Sequence, residues 1–164
     1  MLLDSSYCSK PDVGEQYIDG HPERVPKLGS FESVAKLREV LAALKQRMAA
    51  AMGENKNHNV HEEDRQIKMR DESEITVRIH SPVKPHTGGS PLAVIIHGGG
   101  FTIGGLDNEE LLCRRLCEEQ GFVCVNVDYR LAPEHRFPTA VHDCWDTVQW
   151  VSSVSWNPSR PSTD

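Results

Sequence analysis

The chain has 164 residues, 38% hydrophobic and 26% charged, a balance that suits a globular protein with a core rather than a disordered one. Its net charge of −6 argues against nucleic acid as a partner. No stretch approaches the ~20 apolar residues needed to span a bilayer, and the opening MLLDSSYCSK lacks the apolar run of a signal peptide.

The first thirty residues are polar, contain Pro11, Pro22 and Pro26, and read as an irregular arm. A helix is predicted from Phe31 to Met52, because Val34, Leu37, Leu41, Leu44 and Met48 recur at steps of three and four on one stripe. Ser30 suits its N-cap, and Glu32 suits the positive end of its dipole. The segment GENKNHNVHEED is too polar for core and reads as linker, with Glu62, Glu63 and Asp64 as solvated surface. From Arg65 the period changes to two, so RQIKM, a DES turn and ITVRI predict a β-hairpin.

After the loop SPVKPHTGGSP comes LAVIIH, uniformly apolar and expected to be a strand buried on both faces. It runs straight into HGGGFTIGG. The next helix is predicted to start at a capping box of Asp107 and Glu110, with Leu106 and Leu111 as a hydrophobic staple, and to stop at Gly121. FVCVNVDY is a further strand and RLAPEHRF a loop. Pro138 opens a last helix whose predicted apolar face is Val141, Cys144, Trp145, Val148 and Val151. The Ser/Pro-rich tail from Ser152 onward predicts no element. Strand, helix, strand, helix in this order implies an α/β fold with a parallel sheet, preceded by an antiparallel hairpin.

Two kinds of chemistry could use the glycines. Gly98, Gly100 and Gly104 follow a strand, and Asp128 ends the next one, an arrangement that could hold a dinucleotide. Such a site delivers the phosphate to the first turn of the following helix. Here that helix starts late, and Asp107, Glu109 and Glu110 at its head would repel a pyrophosphate. The alternative is an oxyanion hole, in which backbone amides stabilise the negative oxygen of an acyl-transfer intermediate, each donor contributing about 3–4 kcal/mol. Glycines let the amides turn inward with no Cβ in the acyl group's path, as in the HGGG-type loops of lipases and esterases.

The residues HGGGF, followed by VNVDYRLAPEHRFPTAVHDCWDTVQWV, resemble the hormone-sensitive-lipase-like family of α/β-hydrolases over about Arg65 to Val151. The resemblance implies a partial α/β-hydrolase sheet, its first four strands with flanking helices. Three segments follow: an arm and cap-like helix over 1–63, the N-terminal half of the hydrolase domain over 64–151, and a tail over 152–164. It implies that Gly98 and Gly99 supply oxyanion amides and that His97 braces the loop. Gly100, Tyr129, Arg130 and Glu134 would be structural residues near the site, although simple packing and ion pairing explain Tyr129 and Arg130 equally well. The implied substrate is a small carboxylic ester, with no cofactor and no metal.

The family's serine nucleophile sits on a G-x-S-x-G elbow, followed by an acid and a histidine. The 164 residues contain no such string; GGSPL at Gly88 to Leu92 lacks the second glycine and precedes the oxyanion loop. Ser152, Ser153 and Ser155 have no patterned base nearby, and His142 and Asp143 point to different helix faces. The chain by itself is therefore expected to be inactive, a non-catalytic remnant being the alternative to a serine hydrolase. The strand LAVIIH is expected to lie at an open sheet edge that can pair with another copy.

Other constellations are weaker. His58, His61 and Glu62 lie in polar linker and read as solvated loop rather than a metal site. Cys113 and Cys117 stand one helical turn apart beside Leu112 and Leu116 and read as core. With Cys8, Cys124 and Cys144 they form no paired framework, so free thiols in a reducing, cytoplasmic setting are expected.

Overall fold

The computed structural model describes residues 32–52, 59–84 and 88–153, with backbone alone over 48–52. Two compact units divide between Gln46 and Arg47. Helix α1 covers Val34–Met52, its residues up to Gln46 belonging to the first unit. Ser33 caps it: the Lys36 amide donates to the Ser33 hydroxyl and the Leu37 amide to the Ser33 carbonyl, each at 3.1 Å. The helix thus begins three residues after the predicted Phe31, because the acceptor sits at Ser33; Ser30 lies outside the described residues. Leu37 is buried and Val34, Leu41 and Leu44 are half-buried, which is the predicted stripe; the Met48 side chain lies outside the described ones.

The second unit is built on a mixed sheet of β1 (Val60–Lys68), β2 (Glu74–Pro82), β3 (Leu92–Ile96) and β4 (Val123–Val127), in the order β1-β2-β4-β3. β1 pairs antiparallel with β2, from Val60 opposite Pro82 to Lys68 opposite Glu74. At the turn, the Met69 amide donates to Ser73 O at 2.8 Å, and the Asp71 carboxylate accepts from the Ser73 amide and hydroxyl. β1 starts five residues before the predicted Arg65. Its polar first half pairs its acids at the surface, Asp64 exposed and the others half-buried: Glu62 with Arg114 at 2.7 Å, Glu63 with Arg65 at 2.8 Å and Asp64 with Arg78 at 2.7 Å. Charge pairing replaces apolar alternation on this edge strand.

β2 pairs antiparallel with β4, and β4 pairs in parallel with β3, Ile96 lying opposite Val127. All five residues of β4 are buried. β3, expected to be covered on both faces, is half-exposed because it forms the sheet's edge among the described residues.

The crossover from β3 to β4 passes through a short 3-10 turn, Leu106–Asn108, and helix α2, Glu110–Gln120. The predicted capping box does not form. The 3-10 bond from Asn108 N to Gly105 O intervenes, and Glu109 at the N-cap position makes no side-chain cap. Gly121 ends α2 as predicted, its amide donating to Cys117 O at 3.1 Å.

Helix α3 covers Thr139–Ser153. Its face is partly rotated from the one expected: Cys144 and Val151 pack on the core as predicted, but Ala140, Asp143 and Thr147 are buried while Val141, Trp145 and Val148 are exposed. Asp143 sets this rotation by binding inward to Arg130, as described below.

The sheet is covered on both sides. One cluster joins Ile67, Ile75, Val77, Ile79, Val123, Val125 and Val127 to Ala140, with Cys144, Trp150 and Val151 packed against it. The other joins Cys124 to Cys113 and Cys117 of α2, with Ala93, Ile95, Leu116 and Phe122 alongside. Each fully buried valine removed from water contributes about 1.5–3 kcal/mol.

Candidate active site

The register of β3 and β4 brings His97 and Asp128 side by side where two parallel strands end. Ligands of open α/β sheets bind at this carboxyl end. His97 is 3% exposed, and its ring stacks on Tyr129 with centroids 4.1 Å apart and planes 12° from parallel.

Three successive peptide groups of the glycine loop are held by their carbonyls. The Tyr129 hydroxyl donates to His97 O at 2.9 Å. The His97 ring reaches Gly98 O at 2.8 Å through Nδ1, which therefore carries the proton, since a carbonyl only accepts. Gly99 O accepts from the amides of Thr102 and Ile103, each at 3.1 Å. In a trans peptide the N–H points opposite to the C=O. Each bond therefore turns one amide away from its anchor: Gly98, Gly99 and Gly100 in turn. None of these three amides donates to an acceptor among the described residues.

Two positions demand glycine. Gly99 has φ +127°, and a Cβ there would lie 2.7 Å from the Ile103 carbonyl carbon and closer still to its oxygen. Gly104, at φ +117°, passes so close beneath His97 that a Cβ would lie 2.5 Å from Cε1 and 2.7 Å from Gly98 O. Gly104, read from sequence as part of a phosphate pattern, makes room for the imidazole. Gly98 differs: space for a Cβ is open there.

One chain segment clamps the loop at three points. Asn126 Nδ2 donates to Leu106 O at 2.7 Å at the loop's end, Tyr129 holds its start, and the Ala132 amide donates to Phe101 O at 2.8 Å in its middle. Phe101 itself has φ +63°, a costly conformation for a side chain, and its ring lies 6.3 Å from that of Tyr129. Sequence reasoning missed Asn126. The signal was available, since a polar residue inside the otherwise apolar VCVNV has to find a buried partner.

Arg130 is bound to two acids that lie outside the loop. Its backbone amide and Nε donate to Asp143 Oδ2 at 3.0 Å, and Nη2 donates to Oδ1 at 2.7 Å. Nη1 reaches Asp71 Oδ2 at 2.8 Å. Hydrogen bonding to Asp143 raises the Arg130 pKa above its usual value. Glu134 is exposed in the turn after Leu131. Burial pushes the carboxyl of Asp128 and the phenol of Tyr129 up from their ordinary values.

The remaining candidates do not converge on the loop. The Ser152 and Ser153 hydroxyls donate to Val148 O at 2.8 Å and Trp150 O at 2.7 Å of their own helix, Asp143 is held by Arg130, and Ser155 lies outside the described residues. His61 and Glu62 lie in β1, not in a loop, and His58 lies outside the described residues. Among the described residues, no three His, Cys, Asp or Glu side chains could hold a metal ion. Cys113, Cys117 and Cys124 are free and buried, and burial pushes the half-buried Cys144 thiol up to about 11. Among the described residues no helix is long and apolar enough to cross a membrane.

A family model for the alpha/beta hydrolase fold matches residues 93–162. An arylesterase of Saccharolobus solfataricus is 40% identical over 88 residues, 54% of this chain and 28% of that protein. An ethyl acetate hydrolase of Pseudomonas putida is 38% identical over 90 residues, with the same shares. Among solved structures, the hyperthermophilic esterase of Pyrobaculum calidifontis is 36% identical with a TM-score of 0.62, covering 74% of this chain and 38% of that one. A bacterial heroin esterase is 28% identical with a TM-score of 0.70, over 83% and 42% of the two chains. The chain thus spans less than half the length of each of these relatives. It is similar to the esterases and lipases of the hormone-sensitive-lipase-like family, and it carries part of the α/β-hydrolase fold.

Proposed function

We propose that this chain supplies the oxyanion hole of a carboxylic-ester hydrolase, with Gly98 and Gly99 as donors and Gly100 beside them. The observation that carries the reading is the set of three peptides held by their carbonyls, whose amides donate to nothing among the described residues. Amides fixed in advance stabilise a developing oxyanion without reorganising, each by about 3–4 kcal/mol. The esterases and ester hydrolases among its relatives support an ester of modest acyl size as substrate. In the complete reaction a serine attacks the ester carbonyl while a histidine acts as base and then acid. The 164 residues hold no G-x-S-x-G elbow, so by themselves they are proposed to lack turnover. Free thiols at all four described cysteines fit a reducing, cytoplasmic setting.

Butyrate, the carboxylate product of a short-chain ester, tests the cradle in the chain as it is. Titrated into 15N-labelled protein, it is expected to shift the Gly98 and Gly99 amides progressively and saturably, and to leave Gly88 unmoved. Shifts spread evenly over the glycines, or none at Gly98 and Gly99, would overturn the reading.

A further inference from the structure

We propose that Tyr129 is a positioning residue for the glycine loop, its hydroxyl aiming the Gly98 amide by holding the His97 carbonyl. The catalytic consequence rests on the oxyanion reading above; the hydrogen-bond relationship does not.

The three loop carbonyls are not held alike. Gly98 O is bound by the His97 ring and Gly99 O by the amides of Thr102 and Ile103, all within the loop itself. His97 O depends on Tyr129, a side chain from the segment after β4. Gly98 follows that peptide, with open space where a Cβ would stand, so sterics do little to oppose rotation of the 97–98 plane. Without the hydroxyl, the Gly98 N–H has no fixed direction. Tyr129 is 3% exposed, and its ring also stacks on His97, so one residue fixes both the side chain and the carbonyl of His97. A phenol is ordinarily protonated through the neutral range and so stays a donor there, and burial pushes the Tyr129 pKa further upward.

Tyr129→Phe separates positioning from packing, because it keeps the ring against His97 and Phe101 and removes the donor alone. The test is 15N relaxation of the full 164-residue chain, wild type and variant, comparing Gly98 with Gly105. The expected result is a fall in the Gly98 order parameter from about 0.85 to below about 0.6, or new exchange broadening there, with Gly105 unchanged. An unchanged Gly98 overturns the proposal. Equal loosening of Gly98 and Gly105 also overturns it, since that is general packing loss. Butyrate then addresses the underlying reading separately. Binding in the wild type that weakens about fivefold in the variant ties the aimed amide to anion binding. A wild type indifferent to butyrate sinks the oxyanion reading while the relaxation result still decides the role of Tyr129. If Tyr129→Phe fails to fold, the wild type answers alone. A Tyr129 hydroxyl proton in slow exchange with water supports the bond, and one in rapid exchange overturns it.

Discussion

Asp143 is completely buried, and Arg130 surrounds its carboxylate with three hydrogen bonds of 2.7–3.0 Å, one from its backbone amide and two from its guanidinium. The pair ties α3 to the segment that leaves β4, and Asp71 adds the hairpin turn to the same guanidinium. Removing one member of a buried ion pair leaves the other uncompensated. Asp143→Ala is therefore expected to lower stability by about 3–5 kcal/mol in urea unfolding. Arg130→Met combined with Asp143→Leu should recover most of that loss. A single variant within about 0.5 kcal/mol of wild type would show that the pair does not hold α3 in place.

Neighbouring glycines of the loop should respond in opposite ways. Gly99→Ala meets the Ile103 carbonyl and a positive φ, so a loss beyond about 2 kcal/mol is expected. Gly98→Ala has open space and should stay within about 0.5 kcal/mol of wild type in stability, while its methyl group weakens butyrate binding. Equal stability losses at the two sites would contradict the loop geometry.

His80 makes stability depend on pH. It is fully buried, and neither ring nitrogen has a hydrogen-bond partner among the described residues. Glu62 lies 3.5 Å from Nε2 but is already taken by Arg114 at 2.7 Å. Burial therefore outweighs Glu62 and lowers the His80 pKa from its usual 6.5, with Arg78 and Arg114 opposing the proton and Glu110 favouring it. The unfolded chain takes up a proton below about pH 6.5 that the folded chain refuses, so this stability is complete above that pH and falls below it. The fall is at most about 1.4 kcal/mol per pH unit. Urea unfolding of wild type and His80→Leu at about pH 7.5 and pH 5.5 checks this, the variant losing less stability on acidification. An identical loss in both would mean that His80 carries none of it.

The outer edge of β3 is unpaired among the described residues, and the strand reads LAVII. An apolar edge of this kind pairs with other chains. Light scattering after size exclusion is expected to show dimers or larger species at micromolar concentration, reduced by Val94→Lys. A monodisperse monomer of the wild type would contradict it.

Much of this fold was legible because periodicity reports which faces are covered. The α1 stripe, the hairpin, β4 and the αL stop at Gly121 all follow from local spacing. What stayed hidden depends on pairing across the fold. β1 extends back through VHEED only because arginines at positions 65, 78 and 114 neutralise its acids. α3 turns a polar residue inward because Arg130 awaits it, which no hydrophobic pattern of that helix encodes. In the site, HGGG announced its amides, while the reasons for Gly104 and Asn126 lie in contacts with His97 and Leu106 made only after folding.

The central claim is that the His97–Gly100 backbone stabilises an ester oxyanion, and turnover by a completed fold tests it most directly. Residues 1–164 would be joined to the C-terminal remainder of the Pyrobaculum calidifontis esterase, and hydrolysis of p-nitrophenyl butyrate measured beside the isolated chain. The predicted result is saturable turnover in the joined protein, none above background in the isolated chain, and a loss of about 100-fold or more in kcat when the amides are displaced by Gly99→Ala. A folded joined protein whose serine reacts with a phosphonate yet hydrolyses no ester, or isolated chain that turns over ester saturably, would contradict the claim.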